Sequence, residues 1–324
     1  LGLIDLVQKV GRVDGKQLYV LTYHRVDEPG NRPWLDPHNI SALPEQFNEQ
    51  MQLVAKKYHP VSMKEVLSCM RGERKLPDDA VLVTIDDGYR DCKEVTFPIC
   101  GRYGIEPVLF VPTGFVGRGG FWWDKVHQIT HWGGKNEIDT PFGKLDIRHV
   151  YEQDQASYYI IQQLKRMPFE RGMSWLDEAY ARIIDPRPEW KNDTLTWDEL
   201  RELKRMGVVI APHTHNHPIL TQVSEAEVKA QVEISRDYIR HELGEVEPVF
   251  AIPDGKRIAY SQDIIQVIQG AGFELVFLME EGRAIVEPGM KPGVFPRIGV
   301  WRSLRLAKFH YRLTPAAQRV SDWR

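Results

Sequence analysis

Short runs of β-branched and other apolar residues recur along the chain, and helical spacing follows most of them. The runs are almost continuously apolar, which is typical of strands buried on both faces of a parallel sheet. Alternation of such strands with helices predicts an α/β fold, and seven strands favour a distorted (β/α)7 barrel of the TIM-like kind. The predicted strands are at 18–23, 80–85, 107–112, 208–212, 248–253, 273–279 and 294–300.

Helical patterns fill most of the intervals between these strands. Thr196 and Glu199 have the spacing of a capping box, as do Ser224 and Glu227, and such pairs begin helices. The predicted helices are at 44–57, 197–206, 224–243 and 262–269.

One long interval interrupts this alternation. No buried strand is predicted between Pro112 and Val208, where the chain is rich in Trp and has helical spacing at 151–167 and 175–184. Because the alternation resumes afterwards, we interpret about 115–200 as a helical insertion within a single domain that spans the whole chain. The insertion either covers the mouth of the barrel or decorates its surface, and the sequence leaves both alternatives open.

Composition excludes several classes of protein. The 324 residues include 42 basic and 45 acidic ones, for a formal net charge of −3, so no overall positive charge would attract nucleic acid. Cys69, Cys92 and Cys100 are too few for a disulfide framework or a cysteine-rich zinc module. No apolar run reaches the ~18 residues of a transmembrane segment, and the first residues lack the pattern of a signal peptide. These features favour a cytoplasmic or membrane-peripheral location over a secreted one.

The C-terminal tail, 301–324, is basic. Leu304, Leu306 and Phe309 are interleaved with its basic residues, a pattern that fits peripheral contact with an anionic membrane surface. A solvated C-terminal helix is the alternative. The apolar residues near the N-terminus, at 3–10, leave the same two alternatives open.

Polar and titratable residues gather at the C-terminal ends of the predicted strands. In a parallel α/β barrel these ends meet on one face, where active sites form. Their convergence predicts one site at the barrel mouth. The residues are His24, Asp86, Asp87, His213, His215, His217, Asp254 and Arg297.

Two of these clusters are suited to binding a metal ion. TIDDG (84–88) places two carboxylates side by side, so one can bind a cation while the other acts as a base; a turn shaped by Gly88 is the alternative. In HTHNH, His213 and His217 are four residues apart, on a helical turn or a tight loop, and His215 points away from them. Two imidazoles and one carboxylate fit a hydrolytic zinc site or a non-haem iron site.

The motifs TIDDG, HTHNHPIL and PVFAIPDG, in this order and at these separations, resemble the polysaccharide deacetylase family, also called carbohydrate esterase family 4. They span residues 84–255, and the strand pattern extends the likeness to about 18–300. The family's NodB-homology domain is a distorted seven-stranded barrel. The resemblance implies metal-dependent hydrolysis of the N-acetyl group of an amino sugar, in a bacterial polysaccharide or its precursor, with release of acetate.

The resemblance also implies roles for individual residues. Asp86 would be the catalytic base. Asp87, His213 and His217 would bind a divalent metal, with Zn²⁺ the first expectation and Co²⁺ or Ni²⁺ the alternatives. The substrate would be a carbohydrate that carries N-acetyl groups.

The segment LTYHRV (21–26) resembles one branch of the family, in which the motif order is circularly permuted, as in the poly-N-acetylglucosamine deacetylases. In that branch an N-terminal histidine is the general acid. The resemblance therefore implies that His24 is the general acid, and a core histidine bonded to the backbone is the alternative.

The third motif departs from the family pattern. Many members have Arg-x-Pro-Tyr, whereas this chain has Ala-Ile-Pro-Asp at 251–254. The backbone N–H of Asp254 can still contribute to an oxyanion hole. Its carboxylate, however, must point away from the other acids or pair with Lys256 or Arg257. We expect Arg297, on the last strand, to replace the missing arginine.

Substrate contacts are less evident in the sequence. Trp122 and Trp123, at the start of the insertion, either stack on a sugar ring or form the core of the insertion. Two other functions are compatible with the motifs. One is hydrolysis of a non-sugar amide within the same superfamily, and the other is non-catalytic binding of carbohydrate.

Overall fold

Parallel strands form the centre of the chain, in a computed structural model that describes residues 17–184 and 193–317. The strands are β1 (Gln17–Tyr23), β2 (Arg25–Val26), β3 (Ile40–Ala42), β4 (His59–Pro60), β5 (Ala80–Asp86), β6 (Val108–Val111), β7 (Glu137–Thr140), β8 (Gly143–Asp146), β9 (Val209–Pro212), β10 (Val249–Ala251), β11 (Leu275–Phe277), β12 (Ala284–Ile285), β13 (Gly293–Phe295) and β14 (Ile298–Gly299). The α-helices are α1 (Pro44–Lys57), α2 (Met63–Met70), α3 (Phe97–Arg102), α4 (Trp122–His131), α5 (Val150–Leu164), α6 (Phe169–Ile183), α7 (Trp197–Arg205), α8 (Glu225–Leu243), α9 (Gln262–Gly270) and α10 (Leu306–Arg312).

The barrel consists of two arcs of parallel strands. The first arc has the order β14, β1, β5, β6, β9, and the second has the order β10, β11, β13. On one side the chain itself joins the arcs, because β13 and β14 are separated only by Pro296 and Arg297. On the other side, no strand ladder within the described ranges links β9 to β10. The predicted α/β barrel of seven strands is therefore confirmed, with one interruption in its hydrogen bonding.

The last predicted strand, 294–300, is divided into β13 and β14. Pro296 lies at the break, and a proline has no backbone N–H to donate to a strand ladder. The chain therefore changes partner, from β11 before the break to β1 after it. As a result Arg297, between the two pieces, belongs to no ladder and its side chain enters the barrel, where it is fully buried.

Both faces of the sheet are buried, which accounts for the continuously apolar strands. Leu18 and Val20 of β1 lie in one apolar cluster with the other strands of both arcs. Tyr19 and Leu21, on the opposite face, pack with Phe47 of α1. The capping box predicted for α7 is present, since the Thr196 side chain accepts a hydrogen bond from the backbone N–H of Glu199.

The segment between β6 and β9 contains the insertion, which has an apolar core of its own. Helices α4, α5 and α6 contribute to this core, together with the antiparallel hairpin of β7 and β8. The hairpin was not predicted, because most of its residues are exposed and polar. Helix α7 begins within the predicted range 115–200 and extends beyond it, and Leu200 and Leu203 pack with Ile210 of β9 in the barrel.

The C-terminal helix α10 packs on the barrel. Leu304 and Phe309 are buried in the cluster that includes β1 and α1. The expectation of peripheral membrane contact therefore loses two of its three apolar residues, because the barrel already covers them. No helix in the described part of the chain is long and apolar enough to cross a bilayer. The tail beyond 317 and the residues at 3–10 lie outside the described ranges.

Candidate metal centre and active site

The two adjacent aspartates at the end of β5 face different partners. Asp87 has a left-handed backbone conformation, with φ of +75°, and this turns its side chain away from that of Asp86. Arg297 donates two hydrogen bonds to Asp86, from Nη1 to Oδ1 and from Nη2 to Oδ2, each of 2.8 Å. Oδ1 of Asp87 instead lies 3.5 Å from Nε2 of His217. Both carboxylates lie near an imidazole, since Oδ2 of Asp86 is 3.8 Å from Nε2 of His213, but only Asp86 is held by the guanidinium of Arg297.

The two histidines lie on a tight loop after β9 and not on a helical turn. Thr214 and His217 both have left-handed backbones, with φ of +65° and +53°. The loop is held by a 3.0 Å hydrogen bond from the backbone N–H of His217 to Oγ1 of Thr214. It brings the rings of His213 and His217 to a centroid distance of 4.8 Å. His215 points elsewhere, as expected, and its Nδ1 is hydrogen-bonded to Oγ1 of Thr113.

His213 is oriented by a backbone carbonyl. Its Nδ1 is 2.7 Å from the carbonyl oxygen of Ala251, at the end of β10, and must carry the proton of that hydrogen bond. The other ring nitrogen, Nε2, is therefore unprotonated in the neutral ring, and it lies 4.0 Å from Oδ1 of Asp87. Such a bond on the far nitrogen is typical of metal-binding histidines.

These three side chains fit a divalent metal ion. All three are buried, and one ligand atom from each of Asp87, His213 and His217 lies within 4.8 Å of the others. Oδ1 of Asp87 has no hydrogen-bond partner among the described residues. A buried carboxylate oxygen without a partner is costly, and a cation bound beside it would remove that cost.

Burial sets the protonation states of the three candidate ligands. It lowers the pKa of His213 to about 4 and holds that of His217 well below its ordinary value, so both rings are neutral at neutral pH. Burial, together with the neighbouring charges of Asp86 and Asp124, raises the pKa of Asp87 well above its ordinary value. A bound divalent cation would reverse that shift, because it stabilises the ionised carboxylate.

Asp86 and His24 have different electrostatic surroundings. Burial disfavours the ionised form of Asp86, but the Arg297 guanidinium and nearby imidazoles outweigh it and hold the pKa of Asp86 below its ordinary value. Burial also lowers the pKa of His24, although Asp86 attracts its cationic form. At neutral pH the site therefore contains an ionised Asp86 and a largely neutral His24.

A cavity of about 410 Å³ lies between the barrel mouth and the insertion. The barrel contributes His24 and the residues that fit a metal ion, and the chain at 36–39 forms another side. The insertion contributes further wall residues from α4 and α5. Since both the barrel and the insertion line the cavity, its position favours the alternative in which the insertion covers the barrel mouth. The wall residues from the insertion include Trp122, Trp123, Ser157, Tyr158, Ile161 and Lys165.

Trp122 and Trp123 are mainly core residues of the insertion. Each has only 6% of its surface exposed, and Trp123 stacks on Phe121. Trp123 also meets the ring of His217 at a centroid distance of 4.7 Å, and its Nε1 donates a 2.7 Å hydrogen bond to the hydroxyl of Tyr89. Both tryptophans line the cavity, so binding of a sugar against them stays a proposal.

The carboxylate of Asp254 pairs with a lysine that the sequence did not indicate. Its Oδ1 lies 2.7 Å from Nζ of Lys165, just after the end of α5. The expected pairing with Lys256 or Arg257 is therefore wrong for this oxygen, because the insertion places a lysine closer. Tyr158, Ile161 and Lys165 are three and four residues apart, so they share one helical face, but this spacing does not indicate that the face points into the cavity.

A parallel α/β barrel with a buried Asp-His-His set at its strand ends defines a class of metal-binding barrels whose site lies at the C-terminal face. Within this class the family can be stated. Residues 73–276 match the family model described as polysaccharide deacetylase, and the chain belongs to that family of metal-dependent deacetylases.

A curated relative matches part of the chain. Over 94 residues the chain is 34% identical to the poly-β-1,6-N-acetyl-D-glucosamine N-deacetylase of Escherichia coli K12. The alignment covers 29% of this chain and 13% of the relative. The two proteins thus share a short segment, and most of the relative's length has no counterpart in the match.

Solved structures of low sequence identity have the same fold. The deacetylase PplD of Streptococcus pyogenes, in complex with acetate, has a TM-score of 0.59 and 19% identity, over 92% of this chain and 99% of that one. IcaB of Ammonifex degensii also has a TM-score of 0.59, with 18% identity, over 94% of this chain and 98% of that one. At such identities the likeness establishes the barrel fold.

Proposed function

We propose that the chain hydrolyses the N-acetyl group of an amino sugar in a bacterial polysaccharide or its precursor, and releases acetate. One observation carries the proposal. An ionised carboxylate held by Arg297 lies directly beside three side chains that fit a metal ion, at the mouth of a covered barrel. Membership of the polysaccharide deacetylase family supports it, and so does the name of the Escherichia coli relative.

Asp87, His213 and His217 would hold the metal. When bound, a divalent ion supplies a Lewis acid for the amide carbonyl and lowers the pKa of a coordinated water. We propose Zn²⁺, because two imidazoles and one carboxylate are a ligand set of hydrolytic zinc sites, with Co²⁺ and Ni²⁺ as alternatives.

Asp86 would act as the general base. Its low pKa keeps it ionised at neutral pH, so it is available to take a proton from the attacking water. Arg297 fixes both carboxylate oxygens, and each oxygen retains a lone pair beyond its hydrogen bond to the guanidinium. The bidentate geometry would hold the base in one orientation throughout the reaction.

His24 would act as the general acid. It lines the cavity close enough to Asp86 for that charge to act on its pKa. His24 is largely neutral at neutral pH, so the acid would be its minor protonated form. That form would donate its proton to the nitrogen of the leaving amine, and its lowered pKa makes it a stronger acid. The backbone N–H of Asp254 would contribute to the oxyanion hole, as proposed from the third motif.

The test of this function combines an activity measurement with metal analysis. We expect Asp86→Asn to abolish release of acetate from β-1,6-linked N-acetylglucosamine oligomers and to retain the wild-type metal content, because Asp86 is a base and not a ligand. Asp198→Asn, at an exposed position of α7, serves as the matched control and should leave both quantities unchanged.

Other outcomes would overturn the assignment. Loss of metal in Asp86→Asn would show that Asp86 is a ligand. If the wild-type protein, loaded with each of Zn²⁺, Co²⁺ and Ni²⁺, binds the oligomers but releases no acetate, the barrel is a carbohydrate-binding protein. Acetate or ammonia released only from small non-sugar amides would indicate the other hydrolase.

A further inference from the structure

The cavity wall contains an ion pair that joins the barrel to the insertion. Asp254 follows β10 of the barrel, and Lys165 follows α5 of the insertion. Both residues line the cavity that also contains His24 and the residues that fit a metal ion. No role proposed so far uses either charged side chain.

Asp254 retains an unused acceptor. Its side chain is only 9% exposed, and its Oδ1 accepts the hydrogen bond from Lys165. The second oxygen, Oδ2, is buried and has no hydrogen-bond partner among the described residues. A buried carboxylate oxygen costs free energy when it lacks a donor, so Oδ2 is suited to accept a hydrogen bond from a ligand in the cavity.

Lys165 supplies the complementary donors. Its side chain is 17% exposed, and its ammonium group has three N–H bonds, of which the hydrogen bond to Asp254 uses one. A carboxylate oxygen and an ammonium therefore lie side by side on one wall. Together they offer an acceptor and a donor at neighbouring points.

We propose that Asp254 and Lys165 bind hydroxyl groups of the sugar ring whose N-acetyl group is hydrolysed, and that this pair determines which hydroxylated sugar the cavity accepts. The inference rests on the proposed deacetylase function and adds the chemistry of substrate selection to it. A hydroxyl group both donates and accepts, so adjacent hydroxyls on a ring can satisfy both members of the pair.

The charge of the pair favours a neutral ligand. The two opposite charges compensate each other, so the pair itself has no net charge that would select an anion or a cation. A neutral, acetylated sugar meets this requirement. Charged partners also make the stronger hydrogen bonds, which allows a hydroxyl to be distinguished from a hydrogen at the same position.

The position of the pair places it close to the reacting groups. Burial is the main cause of the lowered pKa of His24. Charges on nearby residues also act on this pKa, and the charges of Lys165 and Asp254 are among them. Because His24, Lys165 and Asp254 line the same cavity, a sugar held by this pair would occupy the cavity that contains the proposed acid. Because Lys165 comes from the insertion, substrate selection would depend on the insertion as well as on the barrel.

The experiment compares Lys165→Met with Lys125→Met. Lys125 is a matched control, because its Nζ makes a 2.7 Å ion pair with Asp177 elsewhere in the insertion and does not line the cavity. The substrates are a β-1,6-linked N-acetylglucosamine dimer and its analogues that lack one ring hydroxyl each. The measurements are kcat and KM for acetate release by the metal-loaded protein.

We expect Lys165→Met to raise KM about ten- to a hundredfold, the effect of losing a hydrogen bond to a charged group, with kcat close to that of the wild type. The decisive result is that one deoxy analogue, poor for the wild type, is no longer worse than the parent dimer for Lys165→Met. Lys125→Met should keep the wild-type discrimination. If Lys165→Met also keeps it, or lowers kcat alone, the inference is wrong.

A second variant and a binding measurement cover the remaining outcomes. The double variant Lys165→Met/Asp254→Asn removes both charges, so neither is left buried without its partner, and it must lose the same discrimination. Calorimetric binding of the dimer and its deoxy analogues separates the two proposals. Hydroxyl-dependent binding that Lys165→Met abolishes, without acetate release by the wild type, would contradict the deacetylase function and support the pair. Acetate release with unchanged discrimination in both variants would do the reverse.

Discussion

The pair of Asp86 and Arg297 joins residues that are 211 positions apart in sequence. Both side chains are almost completely buried, with 2% of Asp86 and none of Arg297 exposed. A buried charge destabilises the fold unless an opposite charge pairs with it. Here two parallel hydrogen bonds join the Arg297 guanidinium to the Asp86 carboxylate. We propose that Arg297, from the break between β13 and β14, takes the place of the arginine missing from the third motif, because it holds both oxygens of Asp86.

Removing one member of this pair should destabilise the fold. We expect Arg297→Met to lower the free energy of unfolding by about 3–5 kcal/mol, because Asp86 would be left as a buried charge without a partner. The double variant Asp86→Asn/Arg297→Met should recover most of the loss. Urea denaturation at neutral pH of the wild type, Asp86→Asn, Arg297→Met and the double variant measures both effects. If Arg297→Met and the double variant lose the same free energy of unfolding, the explanation is contradicted.

His24 offers a second test at the level of one side chain. We expect His24→Ala to reduce kcat about a hundredfold or more, the usual contribution of a general acid, with little change in metal content. The thermal midpoint should change little, because His24 is only partly buried. Turnover close to that of the wild type would show that another group donates the proton.

The strand ends made most of these site residues predictable. Asp86, Asp87 and His213 lie directly at the ends of apolar runs, and parallel strands bring such positions together. His217 lies four residues beyond His213, and the tight loop after β9 places it beside the other three. Lys165 could not be predicted in the same way. It reaches the cavity because α5 folds back over the barrel, and the direction of an insertion helix depends on packing that no short sequence pattern records.

At the scale of elements, the start of α4 is fixed by a buried polar network. Trp123 donates to the Tyr89 hydroxyl, which donates in turn to Oδ2 of Asp124 at 2.9 Å. Oδ1 of Asp124 accepts a 2.8 Å hydrogen bond from the backbone N–H of Asp36. The network connects the insertion to the loop after β5 and to the segment before β3, so α4 and the loop that follows Asp87 are positioned together.

This network should make stability depend on pH. Burial raises the pKa of Asp124 to about 8, so the folded state keeps a proton that the unfolded chain loses near pH 4. The stabilisation from this group is complete at low pH and is lost as pH rises towards 8, by up to about 1.4 kcal/mol per pH unit. We expect Asp124→Asn, which cannot ionise, to decline less in thermal midpoint between pH 5 and pH 8 than the wild type.

The wild-type chain is the reference in that experiment, because the buried histidines contribute equally to both proteins. If the thermal midpoints of the two proteins change in parallel over this pH range, Asp124 is ionised in the folded state. An increase in the difference with pH, in favour of the variant, is the result that agrees with a raised pKa.

Element boundaries follow from the sequence only where burial is complete. The seven predicted strands and α1 could be predicted because their apolar spacing has one structural solution. The hairpin of β7 and β8 could not, since Ile138 is its one buried residue and most of its other residues are exposed and polar. The break between β13 and β14 could have been inferred from Pro296, but Pro296 lies within an apolar run that was predicted as one strand, 294–300.

At the scale of the whole molecule, a bound metal should stabilise the fold. Any ligand that binds only the folded state raises its stability, by about 2.7 kcal/mol at a hundred times its dissociation constant. We therefore expect a chelator to lower the thermal midpoint and added Zn²⁺ to restore it. Asp87→Asn should abolish this dependence on metal. It should not lower the midpoint of the metal-free protein, because the pKa of Asp87 is already raised and its charge is costly there.

Between β9 and β10 a side-chain hydrogen bond connects the two arcs of the barrel. No strand ladder crosses it in the described ranges, yet the ring of His213 reaches from the first arc to the carbonyl oxygen of Ala251 in the second. A metal ion bound to His213 would therefore stabilise this connection between the two arcs. Amide hydrogen exchange of Phe250 and Ala251 should then slow on metal loading, with the amides shared by β1 and β5 unchanged. The bound ion would then connect the two arcs at the one place where no strand ladder joins neighbouring strands of the described barrel.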